Sequence, residues 1–179
     1  MIEIRPAEEK DLNGMMIVVE EARAYFKEHG IPQWQDPHPG ETHLYPGRPD
    51  LLKDIAKGGS YVMVDGDEVA GLCGIAFAAD PNYTVIDNGA WLNDRPYGVI
   101  HRIAVKADRK GQGLAKQFFR FAETLAAEHG IHDLRGDTHE LNQSMRRLFT
   151  SMGYTECGTV YMVDGAPRVA YHKVLDDLG

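Results

Sequence analysis

Apolar residues recur along the chain with two periods, and the alternation of those periods lays out the elements. Ile2 and Ile4 alternate with Glu3 and Arg5, which predicts a short strand over Ile2 to Arg5. Leu12, Met15, Met16, Val19, Ala22 and Phe26 then return at helical spacing, so a helix should run to about Glu28, with Asp11 placed to cap it and Gly30 to end it. Asp50 to Lys57 predicts a short helix closed by Gly58 and Gly59. Tyr61 to Val64 and Glu68 to Phe77 flank Asp65-Gly66-Asp67, the strongest local signal for a hairpin. A strand over Val99 to Val105 leads into a helix whose inner stripe is Leu114, Phe118, Phe121, Ala122, Leu125 and Ala126. Asp133 to Thr138 reads as a strand, Asn142 to about Met152 as a helix, and Thr155 to Val163 with Arg168 to Val174 as a hairpin around Asp164-Gly165. Two stretches resist both periods. Ile31 to Pro49 and Asp80 to Pro96 are rich in turn formers and are expected as loops, carrying Trp34 on the first and Tyr83 and Trp91 on the second.

Length and charge narrow the class of molecule. A chain of 179 residues fits one substantial core, so a single domain over residues 1–179 is expected. The formal net charge of −8 argues against the basic footprint of a nucleic-acid binder and permits a cationic amine as ligand. No segment approaches the roughly 18 uncharged apolar residues of a membrane span. The start, MIEIRPAEEKDL, is charged and lacks an apolar signal core. The cytoplasm is therefore the expected location, and neither membrane nor nucleic acid an expected partner. Cys73 and Cys157 lack metal-ligand spacing and are read as reduced, buried thiols.

Candidate chemistry concentrates between Val99 and Glu128, where a strand, a glycine-containing turn and an amphipathic helix follow one another. The first N–H groups of a helix have no partner within it, and the helix dipole adds about half a positive charge there. Gly111 and Gly113 let the backbone approach a phosphate closely or take positive φ, and Lys110 and Lys116 add mobile charge. A pyrophosphate cradle follows from that combination. It is not a P-loop, because Leu114 follows Gly113 in place of a lysine and hydroxyl pair, and GQGLAK lacks the third glycine of a dinucleotide fingerprint.

KGQGLA, Lys110 to Ala115, behind the strand ending Ile103-Ala104-Val105, resembles motif A of the GCN5-related N-acetyltransferases, the GNAT family. Lys110 keeps the charge of that motif's first position without the planar fork of an arginine. The resemblance implies an α/β (α+β) fold with a mixed, mostly antiparallel sheet of about seven strands flanked by about four helices. It also implies acetyl-CoA as co-substrate, without a metal. In that family the amides of Lys110, Gly111, Gln112, Gly113, Leu114, Ala115 and Lys116 would hold the pyrophosphate, and Ile103, Ala104 and Val105 the pantetheine arm. The segment from Asn142 through Phe149 to Gly153-Tyr154 resembles a second family motif, which places Asn142 and Phe149 against the cofactor. There Phe149 replaces the tyrosine that serves as general acid toward the departing thiolate, and it has no proton to give.

Transfer of an acetyl group to an amine needs a base, since an alkyl ammonium has a pKa near ~10.4. His101, Asp137, His139 and Glu140 are the candidates on or after the two central strands; in the family these strands splay apart around the acetyl group. Alternation places Val99, His101, Ile103 and Val105 on one side of their strand unless a bulge intervenes. His101 is read either as that base or as a core histidine bonded to a neighbour, and Asp137 either as a base or as a partner of Arg102, Arg135 or a histidine. Trp34, Tyr83, Trp91 and Tyr97 suit the wall of an acceptor pocket, or else pin their loops. His129, His132, Asp137, His139 and Glu140 lack the spacing of a metal site. The expected protein is an N-acetyltransferase acting on a small-molecule amine or a peptide, and the resemblance also allows a homodimer. The rival reading is a non-catalytic acyl-CoA-binding or sensory module, motivated by Phe149.

Overall fold

The computed structural model describes residues 1–175. Seven strands form one open mixed sheet: β1 (Ile2–Pro6), β2 (Ser60–Asp65), β3 (Glu68–Ala76), β4 (Gly98–Val105), β5 (Asp133–Thr138), β6 (Thr155–Tyr161) and β7 (Pro167–Val174), in the order β1-β2-β3-β4-β5-β7-β6. Four α-helices accompany it: α1 (Leu12–Glu28), α2 (Arg48–Lys57), α3 (Leu114–Glu128) and α4 (Gln143–Ser151). β4 and β5 run parallel, whereas β1 with β2, β2 with β3, β5 with β7 and β6 with β7 run antiparallel. By contacts the chain falls into two compact units: Met1–Ile75 with Arg102–Phe118, and Ala76–His101 with Phe119 onward.

The first unit buries the inner face of α1, where Leu12, Met15, Val18 and Val19 meet Leu51, Val62, Val64, Val69, Leu72 and Ala104. Asp11 does not cap α1 with its side chain as the sequence suggested. Its carboxylate turns back instead, taking a two-pronged bond from Arg5 at 2.8 and 2.9 Å and the Glu8 N–H at 2.8 Å. Arg5 is the reason, because a bidentate ionic pair outweighs one neutral cap. Trp34 packs its ring edge-on to Phe26 with centroids 5.5 Å apart. Arg23 on α1 clamps the loop behind it, donating to the carbonyls of Trp34 and Pro46 at 2.9 Å each.

Regular alternation along β4 stops at Arg102, whose φ of 52° is left-handed. Such a break interrupts the two-residue period, so the expected one-sided set from Val99 to Val105 does not hold across the strand. The Arg102 guanidinium binds Asp54 on α2 and the Tyr45 hydroxyl, which explains the conformation: a half-buried charge has been brought to its partners.

In the second unit Phe149 of α4 is the hub of an aromatic stack. It lies flat on Tyr171 at 4.5 Å and meets Phe119 and Tyr154 edge-on at 5.3 and 5.2 Å. Gly136 of β5 makes room for it, since a Cβ there would stand 2.7 Å from Phe149 Cζ and 3.2 Å from the Ile100 carbonyl oxygen. The loop before β4 is fastened by a buried network. Asp133 accepts from His172 Nε2 at 2.8 Å, Asn93 at 2.7 Å and Arg95 at 2.9 Å, and the Leu92 N–H donates to His172 Nδ1 at 3.1 Å. Those bonds hold His172 in its Nε2–H tautomer.

Gly136→Ala should lower stability by about 1–3 kcal/mol, because Phe149 cannot retreat from its stack. Urea unfolding followed by fluorescence measures this. An unchanged midpoint would show that the stack yields.

Candidate active site

The turn ahead of α3 takes its shape from two glycines. Gly111 and Gly113 have φ of 82° and 75°, values a side chain strongly disfavours, and a Cβ at either would meet nothing within 4 Å. The first backbone bond of the helix runs from the Gln117 N–H to the Gly113 carbonyl at 3.3 Å. Among the described residues, the N–H groups from Gly111 to Lys116 therefore have no backbone acceptor. Protein atoms hold the turn from its upstream side. The Lys106 N–H donates to the Ala70 carbonyl at 2.8 Å, and the Ala107 N–H to Glu21 at 2.7 Å. Arg109 bridges Asp65 and Glu68, the pair flanking the turn of the β2–β3 hairpin, at 2.8 and 2.9 Å. Lys110 rests its ammonium over the Tyr25 ring at 3.8 Å, while Gln112 and Lys116 are exposed.

In this unit β4 contributes Ile103, Ala104 and Val105 just upstream of the turn, with Ala104 buried and its neighbours half-buried. Trp34 belongs to the same unit and is engaged with Phe26. Among the described residues, one group of histidine and acidic side chains gathers its ligand atoms within 4.8 Å: Glu41, His43 and Asp50. His43 Nε2 lies 2.8 Å from Glu41 and 2.9 Å from Asp50, whose carboxylate also takes the Gly47 N–H at the start of α2.

The second unit brings Asp137 and Tyr83 together, which their separation in the chain gave no reason to expect. The Tyr83 hydroxyl donates to Asp137 Oδ2 at 2.6 Å. Burial pushes the Asp137 carboxyl up to about 6, against the opposing pull of the Tyr83 hydrogen bond and the Arg168 charge. Burial and the adjacent carboxylate drive the Tyr83 hydroxyl the same way, well above its ordinary value, so it holds its proton and orients the acid. Asp80 adds a second desolvated carboxylate, raised by burial, with one oxygen on the Asn82 N–H at 2.8 Å.

His139 follows β5 and receives the Leu141 N–H on Nδ1 at 3.0 Å, an arrangement that leaves the ring proton on Nε2. Burial and the charge of Arg168 lower its pKa. His101 stands half-buried on β4. Trp91 and Tyr97 sandwich the Arg135 guanidinium at 4.2 and 3.9 Å from their ring centroids, and Trp91 Nε1 donates to the Tyr83 carbonyl at 3.0 Å. Tyr97 accepts the Asp80 N–H at 2.9 Å. Asn142 caps α4 by accepting the Met145 N–H at 3.2 Å. Phe149 is buried within its stack. Sequence reasoning missed Arg168 and Asp80, neither of which carries a local motif.

The chain matches the model of the Acetyltransferase (GNAT) family over residues 18–154. A GNAT-family acetyltransferase structure from Streptococcus agalactiae is 34% identical, with a TM-score of 0.86 over 98% of this chain and 96% of that one. One from Listeria monocytogenes shares the fold at 24% identity, with a TM-score of 0.70 over 97% of this chain and 95% of that one. The rat protein N-acetyltransferase 8F1 is 25% identical over 115 residues, 63% of this chain, and the chain spans about half, 48%, of that relative's length. The turn with its unpaired amides, the sheet order and these matches agree on one conclusion: this chain belongs to the GNAT family of acetyltransferases.

Proposed function

We propose that the protein is an acetyl-CoA-dependent N-acetyltransferase that moves the acetyl group directly onto the amine of a small molecule or peptide. The observation that supports it most is the run of N–H groups from Gly111 to Lys116 without backbone acceptors, beside glycines that keep side chains out of the way. The residues suit a diphosphate: six amides, a helix N-terminus and the lysines Lys110 and Lys116. Ile103, Ala104 and Val105 would bond the pantetheine arm in the manner of a strand. Acetyl-CoA supplies an activated thioester, and the chain's own residues must then manage protons.

Asp137 is the proposed base. An alkyl ammonium gives one proton to its carboxylate, the freed nitrogen bonds to the acetyl carbon, and the carbon–sulfur bond breaks. The amine's second proton compensates the thiolate, leaving free CoA thiol. A carboxyl near 6 is ionised at neutral pH and still basic enough to take part. Tyr83 keeps it oriented. His101 and His139 remain the alternative bases, the latter handicapped by its Nδ1 bond to the Leu141 N–H. Phe149 cannot protonate the leaving group, so water is the proposed donor, which a thiol pKa near ~8.5 tolerates. The buried free thiols Cys73 and Cys157 suit the cytoplasm.

Gly113→Glu should abolish CoA binding by setting a strained, negatively charged residue against the diphosphate. Calorimetry with CoA tests this, and an unchanged Kd would refute the cradle. For the chemistry, kcat/KM should fall tenfold per pH unit below about pH 6, as Asp137 protonates. The Tyr83 bond stabilises the carboxylate, so Tyr83→Phe should move that acid limb to higher pH. Asp137→Asn should cost about 100- to 10,000-fold in turnover with CoA affinity intact. If the limb stays in place in Tyr83→Phe and disappears in His101→Ala, the base is His101.

A further inference from the structure

We infer that Arg168 is the anion-binding half of the acceptor subsite, and that the amine this protein acetylates carries a carboxylate on the same small molecule. The inference rests on the N-acetyltransferase reading above and goes beyond it by naming the class of acceptor.

Strand register puts the groups on one face. Arg168 of β7 stands opposite Val160 of β6, while Ala170, two residues on, stands opposite both Gly158 of β6 and Asp137 of β5. Residues two apart on a strand share a face, so Arg168 lies diagonal to Asp137. Val169 pairs with Thr138, and continuing that register brings Arg168 level with His139. Val160 and Ala170 are buried in a cluster with Tyr83, which identifies the face as the one where Tyr83 meets Asp137. The Arg168 charge acts on Asp137 and on His139.

Arg168 lacks the partner its position calls for. A guanidinium offers five N–H donors in a planar fork. Here one of them, on Nη1, reaches the Pro167 carbonyl at 2.9 Å, and among the described residues no carboxylate lies within 4.0 Å of the group. The side chain is half-buried, and burial lowers its pKa. Partly desolvating a charge without pairing it is unfavourable. Arg5, Arg102 and Arg109 sit on carboxylates, and Arg135 and Arg23 are committed to other groups, the first to the Asn93 carbonyl and the Trp91 and Tyr97 rings, the second to two loop carbonyls. Among the described residues, Arg168 has the Pro167 carbonyl and only the more distant charges of Asp137 and Asp164.

The face therefore carries a carboxylate at Asp137, on which the charge of Asp80 also acts, and a fork at Arg168 with most of its donors unused. That is the complement of a zwitterion. The ammonium of an amino acid would approach Asp137, where it must lose its proton, while its carboxylate takes the bidentate geometry that arginine provides and lysine does not. An acceptor without the carboxylate would leave Arg168 as it is and gain nothing from it.

The test uses the purified full chain with acetyl-CoA, following free thiol on a panel of free amino acids, each paired with its carboxamide. The wild type should favour the acid over the amide by about 10- to 100-fold in kcat/KM, the worth of one charged hydrogen-bonded contact. Arg168→Gln should erase that preference, chiefly through KM for the acids, with CoA affinity unchanged; acids and amides are compared well above pH 6, where the upward shift of Asp137 that loss of the Arg168 charge brings no longer limits either. Arg168→Lys should keep the charge and recover only part of the preference, and thermal melting of both variants checks that they fold. Equal rates for acids and amides in the wild type, or equal losses on both in Arg168→Gln, would overturn the inference while leaving acetyl transfer standing. Thiol release from no amine, with CoA still bound, would overturn the acetyl-transfer reading and this inference with it.

Discussion

Six consecutive backbone N–H groups at the mouth of a helix set the terms for the first unit. Amides left without acceptors are costly if buried and useful if a ligand anion can reach them, so the turn before α3 has to keep its backbone open. Left-handed backbone at Gly111 and Gly113 does this by turning the chain without placing a side chain in the way. The rest of the unit braces it. Arg109 ties the turn to both strands of the β2–β3 hairpin where they meet at its tip, Glu21 of α1 takes the Ala107 N–H, and Ala70 of β3 takes the Lys106 N–H. Three separate elements thus fix a segment that by itself has little regular structure, which is the rigidity an anion cradle needs.

The second unit follows a different constraint, the management of buried charge. Asp133 is satisfied by His172, Asn93 and Arg95, and those bonds hold its carboxyl below the usual range despite burial. Among the described residues Asp137 has one hydrogen bond, from Tyr83, and its carboxyl sits well above that range. Two aspartates on one strand are therefore tuned in opposite directions by the number of donors each receives. The first fastens a loop, and the second keeps a proton affinity close to neutrality.

Much of the architecture was legible because its signals are local. The Asp-Gly turns between β2 and β3 and between β6 and β7, the α3 stripe and the glycine turn each depend on residues a few positions apart, and each stands where periodicity put it. What was hidden depends on partners far along the chain. Asp11 is the nearer exception: its partner Arg5 stands six residues back, but the bidentate bond depends on how β1 and the start of α1 come together, which neither stretch signals alone. The β4 alternation failed at Arg102 because Asp54 and Tyr45 draw that side chain to them. Phe119 fell outside the predicted stripe yet is fully buried, because Phe149 and Tyr154 cover a second side of α3. Among the candidate site residues, Tyr83 and Asp137 were named separately, and only folding joined them. Arg168 carries no motif at all, and register alone brings it beside Asp137.

The account turns on whether those amides grip a diphosphate. Titrating 15N-labelled protein with coenzyme A and following backbone amide resonances asks this directly. Saturable shifts concentrated on Gly111 to Lys116 are the predicted result. Binding that leaves these resonances in place, or moves a different segment of the chain, would contradict it.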